Sequence, residues 1–278
     1  MSFPELVTPE TVAEAVGLLS DPQQKTLIFG GGTLVQPLIT LGTDVFDVVI
    51  DLDELALNQI IVENERVSCG AMVRLAQLAL ELPHDYIRDA VASIAGPAVR
   101  NLATIGGNLF AKPPYGDLAT LLLALDAEVE LAGRDETGWS SLNDFYLSRD
   151  NPKAPSTKAV LVTRIRFDVD PRRKIVFHKM ARRLLNSGAV VTVALSLRFD
   201  AAIVREARVA LGGVGPRPIR AFSTERILTG SSLDLEVIES AAQAALQDCD
   251  LQTDAYASAW YRRRMVPLQI RRALTSLH

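Results

Sequence analysis

The sequence predicts an α+β fold with two small mixed units, residues 1–55 and 56–173, followed by a sheet with helices on one face over 174–278. Three observations lead there. Short β-type apolar runs alternate with stretches of helical periodicity through the first 170 residues. The last hundred residues set three long strand patterns before three helical ones. The length of 278 residues suffices for two or three compact units with their own cores.

Taken in order, Thr8 is placed to cap a first helix, Pro9 suits its first turn, and Val12, Val16 and Leu19 recur at helical spacing. "KTLIFGGG" reads as a buried strand ending in glycine, and "DVFDVVIDLDEL" as a second, joined by a connection through "TLVQPLITLG". "QIIV" and "RVSCG" flank the turn "ENE", and "AMVRLAQLALEL" places Val73, Ala76 and Leu80 on one helical face. A buried helix "LATLLLALD" and the strand "AEVELAG" come next. "SRDNPKAPSTKA" reads as an exposed loop leading into "VLVTRIRF", where Val162, Arg164 and Arg166 alternate with Thr163, Ile165 and Phe167. The last unit offers strands "KIVFHKM", "AVVTVALSLRF" and "REARVALGG", then helices around "AFSTERILTG", "LDLEVIESAAQAALQD" and "DAYASAWYRRRM". Pro267 is expected to kink or divide the final helix, because it lacks a backbone donor and clashes with the preceding turn.

Composition narrows the function. A net charge of −4, with 48% apolar and 22% charged residues, gives no reason to expect nucleic acid or an anionic membrane as partner. No apolar run approaches the ~20 residues that span a bilayer, and the first residues lack a signal-peptide pattern, so a cytoplasmic location is expected. Two cysteines, Cys69 and Cys249, cannot supply a four-cysteine iron–sulfur cluster, and three histidines without paired spacing predict no metal site.

Two glycine clusters stand out, "IFGGGTLV" and "ATIGGNL". Each combines glycine with threonine, so that consecutive backbone N–H groups and a hydroxyl can line an anion-binding concavity; a tight turn is the other reading of each. Neither has the spacing of a dinucleotide-binding βαβ unit or of a P-loop.

With "FGGGTLVQPL", "VRNLATIGGNLFAKPPYGDL", "ALGGVGPRPIRAFSTERILTG" and "YRRRMVPLQIRRAL" in this order over nearly the whole length, the sequence resembles the FAD-binding medium subunit of the molybdenum hydroxylases, the group of xanthine and carbon monoxide dehydrogenases. The resemblance implies a two-subdomain FAD-binding fold, the first two units, followed by a C-terminal domain. It implies that Phe29, Gly30, Gly31, Gly32, Thr33, Leu34 and Val35 wrap the FAD diphosphate, and that Thr104, Ile105, Gly106, Gly107 and Asn108 supply its second contact. Asp117 would accept from ribose or ribityl hydroxyls, with the N-cap of the following helix as its other reading. Leu161 would pack against the flavin and Lys179 would stabilise negative charge on the reduced ring.

The sequence departs from this pattern at Ser187 and Gly188, where relatives carry an acidic and then a bulky residue. It departs again at Lys112 and Tyr115, where they carry small ones. The implied role is electron transfer from 2Fe-2S clusters of a small partner subunit, through non-covalent FAD, to an external acceptor; substrate would be oxidised at molybdopterin in a large partner subunit. The alternatives are a self-sufficient FAD oxidoreductase and a non-catalytic nucleotide-binding assembly protein. No catalytic residue of the chain's own is expected.

Overall fold

In a computed structural model, which describes residues 4–42, 44–150, 160–183 and 186–277, strands and helices alternate along the chain as an α+β protein. The elements are β1 (Glu5–Val7), α1 (Val12–Leu19), β2 (Thr26–Phe29), α2 (Val35–Leu41), β3 (Val48–Asp51), β4 (Ile60–Glu63), β5 (Arg66–Gly70), α3 (Leu75–Glu81), α4 (Asp85–Ala92), α5 (Pro97–Arg100), α6 (Ile105–Leu109), α7 (Asp117–Ala124), β6 (Glu128–Ala132), β7 (Thr137–Ser141), α8 (Leu142–Asp150), β8 (Leu161–Asp168), β9 (Arg173–Ala181), β10 (Ala189–Asp200), β11 (Ile203–Gly212), β12 (Ile219–Arg220), α9 (Phe222–Leu228), α10 (Leu235–Ala244) and α11 (Ala259–Thr275). They assemble as two compact units, residues 1–81, 97–107 and 128–166 in one, and 82–96, 108–127 and 167–278 in the other.

The first unit holds two sheets. A parallel one has the order β1-β3-β2, and a five-stranded one the order β4-β5-β8-β6-β7. Their shared core runs from Ala15 and Val16 of α1 through Val48 and Ile50 of β3 to Met72, Ala132 and Leu161. The first helix is capped by Thr11, whose hydroxyl accepts from Glu14 N–H at 3.2 Å; Thr8, the expected cap, lies outside it. The stretch read as a plain connection contains α2. Its apolar residues do not form a buried stripe, and no α2 residue is buried, so periodicity gave no helical signal. The turn between β4 and β5 has Asn64 and Glu65 at positive φ, as a tight hairpin requires. In β8, Thr163, Ile165 and Phe167 are buried and Arg164 is exposed, as the alternation predicts, but Val162, read on the arginine side, is buried and Arg166 is half-buried. Of the loop expected at 148–159, the first residues close α8, and 151–159 lie outside the described residues.

The second unit is built on an antiparallel sheet in the order β12-β11-β10-β9. Val191, Val193, Leu195 and Leu197 of β10 join Val209 and Leu211 of β11 in a core closed by Ala221 and Leu228 on one side of the sequence, and by Ile238, Ala241, Val266 and Ile270 of the last two helices. The expectation of helices on one face is corrected here. All nine residues from Ala189 to Leu197 are buried, because α7 also packs on β10 and β11, and α4 on β9. The last helix begins at Ala259, not at 254, with the Ser258 hydroxyl accepting from Tyr261 N–H at 3.2 Å. Pro267 does not divide it: Ala259–Thr275 is one helix with Pro267 buried inside it.

Candidate functional site

In the first unit β2 runs into the Gly30–Leu34 turn and then α2. Gly32 has φ +67, and a Cβ there would stand 2.5 Å from the Phe29 ring, so only glycine lets the chain fold back over that ring. A Cβ on Gly31 would run into the Leu102 carbonyl, and one on Gly30 would lie 3.3 Å from both Met72 Sδ and Thr104 Oγ1. The two glycine clusters, about seventy residues apart in sequence, thus abut within this unit. Among the described residues, no protein acceptor takes the backbone N–H groups from Gly30 to Val35.

Thr104 pairs with Arg74 in an isolated bridge and is 3% exposed. Ile105 N–H bonds to Val73 O and Gly106 N–H to Ala71 O, both at 2.9 Å. A Cβ on Gly106 would lie 2.8 Å from Ala71 O, so this glycine is small because backbone packs on it. Gly107 differs. Its N–H bonds to Thr104 Oγ1 at 3.0 Å, and a Cβ there would stand 3.0 Å from the same oxygen. Asn108 Oδ1 accepts from Ala119 N–H at 3.0 Å and so caps the start of α7, which leaves the Asn108 amide N–H groups to donate. What remains free in the first unit are donors: a run of backbone N–H groups in one cluster and the Thr104 hydroxyl hydrogen in the other. Such a donor set suits an anion without a hydrogen to give, as a diphosphate is.

Asp117 is the first residue of α7, after Gly116 at φ +91, and is 4% exposed. It does not cap the helix with its side chain. Its Oδ2 accepts from Lys179 Nζ at 2.7 Å and its Oδ1 from Thr192 Oγ1 at 2.8 Å. Lys179 Nζ also donates to Ser93 O at 2.9 Å, which leaves one of its three N–H groups unassigned. Burial pushes the Asp117 carboxyl above its ordinary value, against the opposing pull of Lys179 and the Thr192 hydroxyl. Asp117 and Lys179, read from sequence as separate contacts, are therefore one buried pair. Leu161 lies in the core of the first unit at 2% exposure.

The two departures in sequence meet in the second unit. The Pro114 ring fills the space over Gly188, where a Cβ would clash with it, and Pro114 O accepts from Ala189 N–H at 2.9 Å. Tyr115 bonds through its hydroxyl to that of Tyr256 at 3.1 Å, the rings edge to face with centroids 6.5 Å apart. Lys112 is exposed and its carbonyl accepts from Tyr115 N–H at 3.0 Å. Sequence reasoning missed Thr192, Tyr256 and Arg262. Thr192 is hidden in a strand of apolar neighbours, and neither it nor Tyr256 carries a local signal. Arg262, one of three consecutive arginines, is 2% exposed and donates to Val190 O, Gln252 O, Ala257 O and Asp254 Oδ2 at 2.7–3.1 Å. No cluster of three or more metal-ligating side chains occurs among the described residues, and no helix there is long and apolar enough to cross a membrane.

Residues 2–167 match the family model for the FAD binding domain in molybdopterin dehydrogenase, and 175–277 match the CO dehydrogenase flavoprotein C-terminal domain. The chain is 28% identical over 272 residues to the glyceraldehyde dehydrogenase medium chain of Sulfolobus acidocaldarius, covering 94% of this chain and 93% of that one. It is 27% identical to the xanthine dehydrogenase FAD-binding subunit of Escherichia coli O157:H7, covering 95% and 92%. The solved carbon monoxide dehydrogenase of Hydrogenophaga pseudoflava contains a chain that superposes with a TM-score of 0.88 at 26% identity, over 99% of this chain and 96% of that one. With residues 2–167 and 175–277 both matched, the protein belongs to the FAD-binding medium subunits of the molybdopterin dehydrogenase family.

Proposed function

We propose that this chain carries electrons within a heteromeric molybdenum-containing hydroxylase or dehydrogenase. It would accept them from 2Fe-2S clusters of a small subunit, themselves fed by a large molybdopterin subunit, and pass them to an external acceptor. The observation that carries the reading is the donor-only polar set around two abutting glycine clusters, in a chain whose relatives are named as medium chains and FAD-binding subunits of dehydrogenases.

The chain's own residues would act as follows. N–H groups from Gly30 to Val35, with the Thr33 hydroxyl, hold one side of the diphosphate. The Thr104 hydroxyl, Gly107 and the Asn108 amide hold the other. Gly107 carries no side chain on the face where we place the phosphate, a Cβ there already standing 3.0 Å from Thr104 Oγ1, whereas Gly31 lets the two glycine segments pack closely and Gly106 packs on Ala71. Asp117 has lone pairs left for ribityl or ribose hydroxyls, and the remaining N–H of Lys179 offers positive charge to the cofactor. FAD, when bound, supplies the capacity to take two electrons and release them singly or together. No histidine lies in either cluster, so histidyl attachment is not expected and the proposed cofactor is non-covalent.

Purification from the source through a tag on this chain tests the assembly. Co-purification of an iron–sulfur and a molybdenum protein, with flavin absorbance that bleaches when the complex is given substrate, is the expected result. Flavin without any such partner would instead favour the self-sufficient oxidoreductase.

A further inference from the structure

We propose that Tyr115, braced by Tyr256, is an aromatic contact of the isoalloxazine ring when FAD is bound. The inference rests on the FAD assignment and adds a residue to it. Tyr115 lies on the loop that joins Asn108 to Asp117, two residues before the latter. Consecutive Cα atoms are ~3.8 Å apart, so the Cα atoms of Tyr115 and Asp117 are at most about 7–8 Å apart.

Its setting is that of a pre-organised contact. The side chain is 48% exposed, yet it is held by the Tyr256 hydroxyl at 3.1 Å and by that ring edge-on. The backbone on either side is fixed as well: Tyr115 N–H bonds to Lys112 O, Pro114 O accepts from Ala189 N–H, and the Pro114 ring sits on Gly188. Tyr256 is fixed in turn by its N–H to Asp254 Oδ1 at 2.8 Å, while Asp254 Oδ2 is held by the buried Arg262 at 2.8 Å. An aromatic side chain immobilised by this chain of contacts, but left half open, has already lost the rotamer freedom that binding would otherwise remove. The neighbouring Asp117–Lys179 pair suits the polar edge of a flavin and its ribityl chain, which places the ring, not the adenine, beside Tyr115.

The test uses the full-length chain loaded with FAD, and compares flavin fluorescence lifetime and FAD affinity for wild type, Tyr115→Leu, Tyr115→Phe and Tyr256→Phe. A phenol in contact donates an electron to the excited flavin and takes it back, so the wild-type emission is strongly quenched; phenylalanine cannot do this. Tyr115→Leu is expected to lengthen the lifetime and weaken FAD binding about 2- to 10-fold, the worth of one aromatic contact. Tyr115→Phe lengthens the lifetime while keeping affinity, and Tyr256→Phe broadens the lifetime distribution by loosening Tyr115. If Tyr115→Phe and Tyr115→Leu both bind FAD with wild-type affinity and lifetime, Tyr115 does not touch the flavin. A wild-type chain that binds no FAD at all overturns the cofactor assignment itself, which is a distinguishable result.

Discussion

Replacing Lys179 by methionine removes the cation from a buried pair and leaves a carboxylate in the core. The Lys179 and Asp117 side chains are 9% and 5% exposed, so solvent screens them little. With the cation gone, Asp117 Oδ1 keeps the Thr192 hydroxyl while Oδ2 loses its Lys179 partner. Breaking such a pair by deleting one member costs about 3–5 kcal/mol, since the remaining charge is stranded. The cost depends on pH. Burial already holds this carboxyl above its ordinary value, and loss of Lys179 raises it further. The folded variant then binds a proton over a range in which the unfolded chain has released it. Its stability therefore falls as pH rises from the ordinary carboxylate value, by about 1.4 kcal/mol per pH unit, until the raised folded value is passed. Urea midpoints at several pH values between mildly acidic and neutral measure this. Lys179→Met should be most stable at the acidic end relative to wild type, and Lys179→Met with Asp117→Asn should recover most of the loss at neutral pH. A single variant within about 1 kcal/mol of wild type at neutral pH, with no added pH dependence, would show that the pair is not the buried interaction described.

Gly107→Ala gains up to about 1 kcal/mol of helix propensity but sets its methyl 3.0 Å from Thr104 Oγ1, so stability should change little, while FAD binds more weakly because the methyl crowds the proposed phosphate position; titration with FAD and thermal melting separate the two effects. Gly31→Val should instead destabilise the fold by about 1–3 kcal/mol, as the side chain must displace the Leu102 carbonyl, read from the shift in urea midpoint. Asn108→Ala should cost about 1 kcal/mol through the lost cap on Ala119 N–H and also weaken FAD, in the same two assays. Burial pushes both cysteine thiols up to about 12, so neither Cys69 nor Cys249 should react with a maleimide in the native protein at neutral pH, and both should in urea; mass spectrometry counts the adducts.

Strands with clear alternation or dense β-branching were legible, because a half-buried sheet imposes a period of two; β8 and the β4–β5 hairpin are examples. Helix α2 was not, since an amphipathic stripe is the signal and none of its residues is buried. The packing of α4 and α7 against the C-terminal sheet was also hidden, because periodicity tells which face is buried and not against what. At the candidate site the glycines and Asn108 were legible as a motif. That Gly106 is packed on Ala71, that Asn108 caps α7, and that Asp117 and Lys179 form one pair were not, as each depends on a neighbour distant in sequence. The departures at Tyr115 and Gly188 looked independent and are joined by Pro114 resting on Gly188.

Titration of the flavin-free full-length chain with FAD and with FMN tests the central claim most directly. The account predicts stoichiometric FAD binding with flavin absorbance retained through gel filtration, and much weaker FMN binding, because FMN lacks the diphosphate that the two glycine clusters are proposed to hold. Equal affinity for the two, or no FAD binding, would contradict it.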